Sequence, residues 1–243
     1  MLRTIKKRIV MLGNRMPFAP EKQKYFDEVE RLEWIYKNLS LEGSSLSKTQ
    51  IQDILDGTIP QNVQIEEPIM VEALRSLFEE MYFIAEKGIK PCLEMLGYYN
   101  HLSTGMDKDS PYRKTSVIAH QWDYVAIHPA EIPEKLKELE ALFEESKNVD
   151  AMTEECFEMA EKMHNKIIEI MPYGERDGLL ARAMMAYFLM EKGYPAVAPN
   201  MKEEEYNSLV LAMLKTAELQ GLKDSLKKEV LEHFDLMIQL TAY

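Results

Sequence analysis

The sequence is poor in the residues that staple or punctuate a chain. Only two of its 243 residues are cysteine, Cys92 and Cys156. Neither has metal-ligand spacing, so a disulfide framework and a cysteine-based zinc site are both excluded, and the two are expected to be reduced core residues. Ten glycines and eleven prolines are few for this length, and long segments repeat apolar residues at three and four, so the architecture is expected to be mainly helical. Basic residues are also in deficit. Lys and Arg number 29 against 41 Asp and Glu, a formal charge of -12 with a pI near 5.0. Such a field repels phosphate backbones and anionic lipid surfaces, so neither a nucleic acid nor a membrane is expected as partner. The start is basic (Arg3, Lys6, Lys7, Arg8), but the apolar run behind it, Ile9 to Leu12, is far shorter than a signal-peptide core. No other stretch approaches the ~20 apolar residues that span a bilayer. A reducing cytoplasm is the expected location.

Helical pattern fills most of the rest. A stripe of Phe26, Val29, Leu32, Ile35 and Tyr36 predicts a helix over 22–38, interrupted at Leu39–Gly43. Ser47 with Gln50 at N3 reads as a capping box opening a second helix that ends at Asp56 and Gly57. After a polar connection at 58–67, helices are predicted over 68–87 and 89–102, then a loop at Ser103–Pro111. Over 115–128 the period changes: β-branched and aromatic residues flank a polar break at His120–Gln121, which predicts a short β-hairpin, the one candidate sheet. Pro129 and Pro133 lead into a charged helix, 134–146, whose acids and lysines form a solvated face. Helix 153–170 carries Cys156, Ala160, Met163, Ile167 and Ile170 on one stripe. Residues 179–190 are apolar on every side except for Arg182, the pattern of a central buried helix. Two amphipathic helices joined near Gly221 complete the chain.

The chemistry converges on one place. The loop Gly174–Gly178 precedes the central helix, where free N–H groups and the positive end of the dipole favour an anion. Arg182, one turn further, is expected to be buried, and a buried guanidinium needs a carboxylate or phosphate beside it. His164 reads as a hydrogen-bonded structural histidine. His101, His120, His128 and His233 are assigned no role.

The stretch AEKMHNKIIEIMPYGERDGLLARAMMAYFLMEKGYPAV resembles the core of Fic (Fido) domains, whose motif is HPFxxGNGRxxR between two helices. His164, seven residues before the motif, and Gly193-Tyr194-Pro195 after the long helix hold the frame. Upstream, RLEWIYKNLSLEGSSLSKTQIQDIL resembles the inhibitory helix that one Fic subclass carries before its core, and PYRKTSV with the hairpin resembles the family's flap. The resemblance covers about residues 26–235. It implies a protein adenylyltransferase that moves AMP from ATP to a target hydroxyl, with the motif His as base and Mg2+ on an acidic residue. Met171 stands where that His is expected. Tyr173 replaces Phe conservatively, Glu175 keeps the metal-holding acid, and Gly178 and Arg182 are retained. Arg176 stands at the first glycine, Asp177 at Asn, and Leu179 at the first Arg. Glu42, followed by Gly43, matches the glutamate that pairs with the second motif Arg and blocks the ATP γ-phosphate. Asn38 takes the Ser/Thr position and Ser44 the usual Asn.

General-base catalysis contributes roughly 100- to 10,000-fold, and a thioether cannot take the hydroxyl proton, so Met171 removes that contribution. Asp177 puts a carboxylate beside a phosphate, and Arg176 adds a cation that can offset Leu179. The expected fold is mainly α, a Fic-like helical domain with a short β-hairpin flap. Residues 1–60 form an N-terminal segment with the inhibitory-helix-like motif, 61–200 the core, and 201–243 C-terminal helices of the same domain. The leading expectation is a degenerate member, impaired in adenylylation, that regulates by binding a nucleotide or a protein. An active but altered nucleotidyl or phosphoryl transferase is the alternative, and a helical interaction scaffold with an empty pocket is the third. The implied phosphate residues are Gly174, Arg176, Asp177, Gly178 and Arg182, with ATP and Mg2+ on Glu175 as the implied cofactor. Glu42 and Gly43 are the inhibitory pair. Trp122, Asp123, Tyr124 and Val125 are the flap residues that would hold a protein target as an added strand. A homo-oligomer is left open.

Overall fold

A computed structural model of the chain describes every residue except 108–111, 219–220 and 243. Along the described residues run α1 (Leu2–Gly13), α2 (Pro20–Leu41), α3 (Lys48–Leu55), α4 (Glu66–Glu86) and α5 (Leu93–Thr104). A two-stranded ribbon follows, β1 (Ile118–Ala119) and β2 (Tyr124–Val125), then α6 (Ile132–Ser146), α7 (Glu154–Ile170), α8 (Asp177–Glu191), α9 (Glu203–Thr216) and α10 (Leu222–Leu240). The mainly helical fold with one hairpin is as the sequence predicts.

α8 is the centre. Twelve of its fifteen residues are buried, because Leu, Met, Ala and aromatic side chains point from it in every direction. Fully burying one such large apolar side chain stabilises by about 1.5–3 kcal/mol. α7 lies along it and buries the expected stripe of Cys156, Ala160, Met163, Ile167 and Ile170. α4 and α5 cover another side. One cluster of buried apolar side chains reaches from Ile5 to Phe234.

Several expectations need correction. α1 was not foreseen: its basic residues dominate the pattern, and only Ile5 and Leu12 are buried, too sparse a stripe to read. It packs on α10, with Arg8 Nε 2.6 Å from Asp235 Oδ1. α2 is not interrupted at Leu39. Asn38 Nδ2 donates to the Trp34 carbonyl at 2.9 Å and Ser40 Oγ to the Tyr36 carbonyl at 2.9 Å. These polar side chains therefore bond back along the helix instead of breaking it, and α2 ends at Glu42, where Gly43 takes φ +83°. α5 begins at Leu93, not 89, and runs through Ser103 to Thr104, where Gly105 caps it at φ +74°. Residues 108–111 of the expected loop lie outside the described residues. Cys156 is buried, but Cys92 is only half-buried.

The capping box at Ser47 is formed in full. The hairpin is present but short, with Ile118 opposite Val125 and Ala119 opposite Tyr124. A single 3-10 turn, His120–Trp122, and Asp123 at φ +45° join the strands. The ribbon stops there because Trp122 turns inward to near-complete burial, and its indole N–H donates to Asn207 Oδ1 on α9 at 2.7 Å.

Candidate functional site

The turn between α7 and α8 is built from constrained backbone. α7 ends at Met171, which takes φ +45° while its N–H bonds to the Ile167 carbonyl at 2.8 Å. Pro172 then prevents continuation. Gly174 adopts φ +90°, and a Cβ there would lie 3.0 Å from Val117 Cγ2. Glycine is required at that position on both counts. Arg176 adopts φ +55°, the left-handed region that favours the glycine the Fic motif would place there. Its guanidinium folds back to donate to the Ser103 carbonyl in the last turn of α5, where helix carbonyls are unpaired and the dipole is negative.

Asp177 closes the loop on itself. Its carboxylate accepts the Gly174 N–H at 2.6 Å and the Tyr173 N–H at 3.3 Å. The side chain is buried, and burial pushes its pKa up to about 7, against the opposing pull of those N–H groups and of Arg113. The anion seat expected at this loop is thus filled by a side chain of the loop. Gly178 leaves room for two neighbours: a Cβ there would come within 3.3 Å of Arg182 Nη1 and 3.5 Å of Trp122 Cη2.

Arg182 is 1% exposed and every arm of its guanidinium is engaged. Nε donates to Asn38 Oδ1 at 2.8 Å, Nη1 to the Tyr206 hydroxyl at 3.2 Å, and Nη2 to Glu42 Oε1. The pairing with Glu42 is the one the sequence led us to expect. Asn38 and Glu42 are one turn apart on α2, so one helix face presents both acceptors. Tyr206 was not foreseen. Because Arg is donor-only, the Tyr206 oxygen accepts from it, and the hydroxyl hydrogen goes to His164 Nε2 at 2.7 Å. Burial holds the His164 pKa down at about 4, so the ring is neutral and Nδ1 donates to Asn165 Oδ1 at 2.9 Å. His164 is structural, as expected.

These groups meet in a cavity of about 220 Å³ lined by Glu42, Met171, Gly174, Arg176, Asp177, Gly178, Arg182 and Trp122, with Glu203, Tyr206 and Asn207 of α9 on the far wall. Ligand pockets usually run to ~300–1,000 Å³, so the cavity is smaller than most, with Glu42 on its wall. Glu175 is exposed and is not part of the lining. Among the described residues, no three His, Cys, Asp or Glu side chains converge to hold a metal. Gly43 brings the start of α9 close, since a Cβ on it would lie 3.4 Å from Glu203 Oε2.

The flap residues part company. Trp122 faces the cavity, whereas Tyr124 faces a separate depression beside Leu142 and Lys166. Val125 and its partner Ile118 are exposed, Ile118 at the rim of the cavity, and Asp123 forms the turn. What fastens the flap to the motif loop is Arg113. Its Nε donates to the Met171 carbonyl at 2.7 Å, Nη1 to Thr115 at 3.0 Å, and Nη2 to Ile127 at 2.7 Å and Ile170 at 3.2 Å. All of its acceptors are main-chain carbonyls, so no sequence pattern of paired charge could reveal it.

No protein-family model matches the sequence. Solved structures do match. A Fic domain containing signaling protein from Bacteroides thetaiotaomicron superposes with a TM-score of 0.79 at 20% identity, over 98% of this chain and 96% of that one. Fic-1 from C. elegans gives 0.71 at 18%, over 98% and 71%. A Fic family protein from Desulfovibrio desulfuricans gives 0.66 at 14%, over 98% and 74%. No helix among the described residues is long and apolar enough to cross a membrane. Over nearly its whole length, the chain has the fold of the Fic-domain proteins.

Proposed function

We propose that this is a Fic-fold regulatory protein whose nucleotide site is held shut by its own carboxylates and whose adenylyl-transfer chemistry is impaired. The observation that carries the reading is the buried Arg182–Glu42 pair in the same cavity as Met171. Arg182 is the group that would hold an ATP phosphate, and Glu42 occupies it. Asp177 occupies the loop N–H groups in the same way. An incoming nucleotide must displace Glu42, and then finds a thioether where the motif places its base. A protein partner would be engaged through the exposed Ile118 and Val125 of the flap.

Glu42, with a side chain 27% exposed, sits at the end of α2 and can swing to solvent without unfolding the core. Thermal melting of wild type and Glu42→Gly, each with and without millimolar ATP and Mg2+, tests the gate. The variant should gain an ATP-dependent rise of a few degrees by mass action, and wild type should not. If neither responds, the nucleotide reading fails and the scaffold reading takes its place. In the responding variant, Met171→His should restore transfer of labelled AMP; no gain would put the fault in the loop rather than in the missing base.

A second reading, an altered but active transferase, has one observation in its favour. Asp177 is a cavity carboxyl brought to about 7, where a general base works best. A transfer activity in Glu42→Gly that is abolished by Asp177→Asn would establish it.

A further inference from the structure

Away from the motif, α1, the segment that follows it, α2 and α10 line a second chamber of about 330 Å³, open to solvent on one side. Its walls are apolar, with Phe18, Phe26, Tyr194, Phe234 and Met237 among them. One end is polar. There Glu30, 5% exposed, accepts the Ala196 N–H at 2.5 Å, and its other oxygen lies 3.3 Å from both the Tyr82 hydroxyl and His233 Nε2. Asp27 lines the same chamber, and no lysine or arginine among the described residues does so.

Among the described residues, the buried Arg182 pairs with Glu42, Glu229 with Lys37, and Lys227 with Glu154, while the buried Asp177 is held by backbone N–H groups. Glu30 meets an imidazole instead. Burial pushes the Glu30 carboxyl up to about 8 and the His233 ring down to about 4, so at neutral pH the two are uncharged. Lys37, whose charge helps to hold the His233 ring neutral, lies outside the chamber and is paired with Glu33 and Glu229. Both oxygens of the buried carboxyl are thus held by an amide, a phenol and an imidazole, and among the described residues no lysine or arginine of the chamber lining pairs with it.

We propose that this chamber binds a small organic amine, its ammonium group on Glu30 and its aromatic or aliphatic body among Phe26, Phe234 and Met237. Uptake would release the Glu30 proton, so that the bound state is a carboxylate–ammonium pair in a site of low dielectric. The groups facing Glu30 in the chamber are Asp27 on its own helix, Tyr82 from α4, His233 from α10, and the Ala196 N–H from the segment after α8, and across the adjoining depression that Glu30 also lines are Glu33, Lys37, Lys48, Glu229 and Glu232. His233 titrates below the window from pH 6.5 to 8 and burial raises Tyr82 far above it, so neither masks the change of charge at Glu30.

Calorimetric titration of the full chain with 2-phenylethylamine, its neutral isostere 2-phenylethanol and the anion 3-phenylpropionate tests this directly. The amine should bind at least about tenfold more tightly than the alcohol, and the anion not at all. Amine affinity should rise by up to about tenfold per pH unit from pH 6.5 towards 8, with one proton released. Glu30→Gln, which keeps the bond from Ala196, should erase both the preference and the pH dependence. Equal binding of amine and alcohol, a preference that survives in Glu30→Gln, or no binding of any probe at about 10 mM would each overturn the proposal. If Glu30→Gln does not fold, the wild-type amine–alcohol ratio and its pH dependence decide alone.

Discussion

α2 carries a carboxylate into each of two cavities, and the two are handled in opposite ways. Glu42 at its end meets the fully hydrogen-bonded guanidinium of Arg182. Glu30, twelve residues earlier and so about 18 Å back along the helix, meets a neutral imidazole and a phenol. The motif cavity is assembled from backbone in left-handed conformations and from charges that already have partners. The second chamber is assembled from core side chains, and among the described residues that line it no lysine or arginine faces the buried Glu30. A site whose charges are satisfied internally must be opened before it can bind, whereas the proposed amine would displace only a proton from Glu30. The same helix therefore sets two carboxylates in opposite electrostatic surroundings.

The comparison breaks most readily at Arg182. Arg182→Met should destabilise by about 2–4 kcal/mol, because it leaves Asn38 and the Tyr206–His164 chain short of a donor in the core, while Glu42, 27% exposed, can turn to water. Urea denaturation measures this. A cost below about 1 kcal/mol would mean that the pair is not held in solution. Gly174→Ala comes next, at about 1–3 kcal/mol, since it places a Cβ at φ +90° and 3.0 Å from Val117 Cγ2. The same method checks it, and an unchanged midpoint would show that the loop does not hold this conformation.

How much of this was legible in the sequence depends on whether the signal was periodic. The buried α8 and the stripe on α7 show directly in apolar spacing, and the Ser47 cap in residue type. Arg182 announced a partner because an arginine inside an apolar run must have one, and the Fic-like motif supplied Glu42. Arg113 gave no such signal: it bonds only main-chain carbonyls, which any residue can offer. The Glu30–His233 contact joins the two ends of the chain, so no local pattern contains it, and His233 was passed over for that reason. α1 hid behind its basic residues. Asp177 was read as a repulsive presence beside a phosphate, whereas it caps its own loop, a contact that depends on the loop backbone and not on composition.

Stability against pH sharpens the contrast between the two cavities. Asp177 and Glu30 both have folded pKa values above their ordinary carboxylate values, about 7 and about 8. The folded state therefore holds a proton that the unfolded chain has lost, and each group's contribution falls as pH rises from the unfolded pKa to the folded one. His233 and His164 act oppositely below about pH 6.5, where the unfolded chain binds protons that the folded one refuses. Between pH 7 and 8 Glu30 is left as the main source of slope, and stability should drop by up to about 1 kcal/mol there. Glu30→Gln should flatten that window. Asp177→Asn should leave it standing and act below pH 7. Urea midpoints at pH 6, 7 and 8 separate the two, and a slope between 7 and 8 that survives Glu30→Gln would mean that the Glu30 carboxyl is already ionised, as a partner of His233.

The smallest effect is expected where two contributions oppose each other. Arg176 holds a left-handed φ of +55°, a conformation that costs a non-glycine residue about 1–2 kcal/mol. It recovers a charge-assisted hydrogen bond to the Ser103 carbonyl, worth about 1.5–3 kcal/mol, part of which is lost to the ordering of a long, half-buried side chain. Arg176→Gly removes both, so the net change should lie within about 0.5 kcal/mol. Arg176→Ala separates them: it keeps the strain and loses the bond, and should cost about 1 kcal/mol more than glycine. If glycine and alanine are equally tolerated, the loop has relaxed away from φ +55°, and the motif cavity is less constrained than the chamber that α2 shares with it.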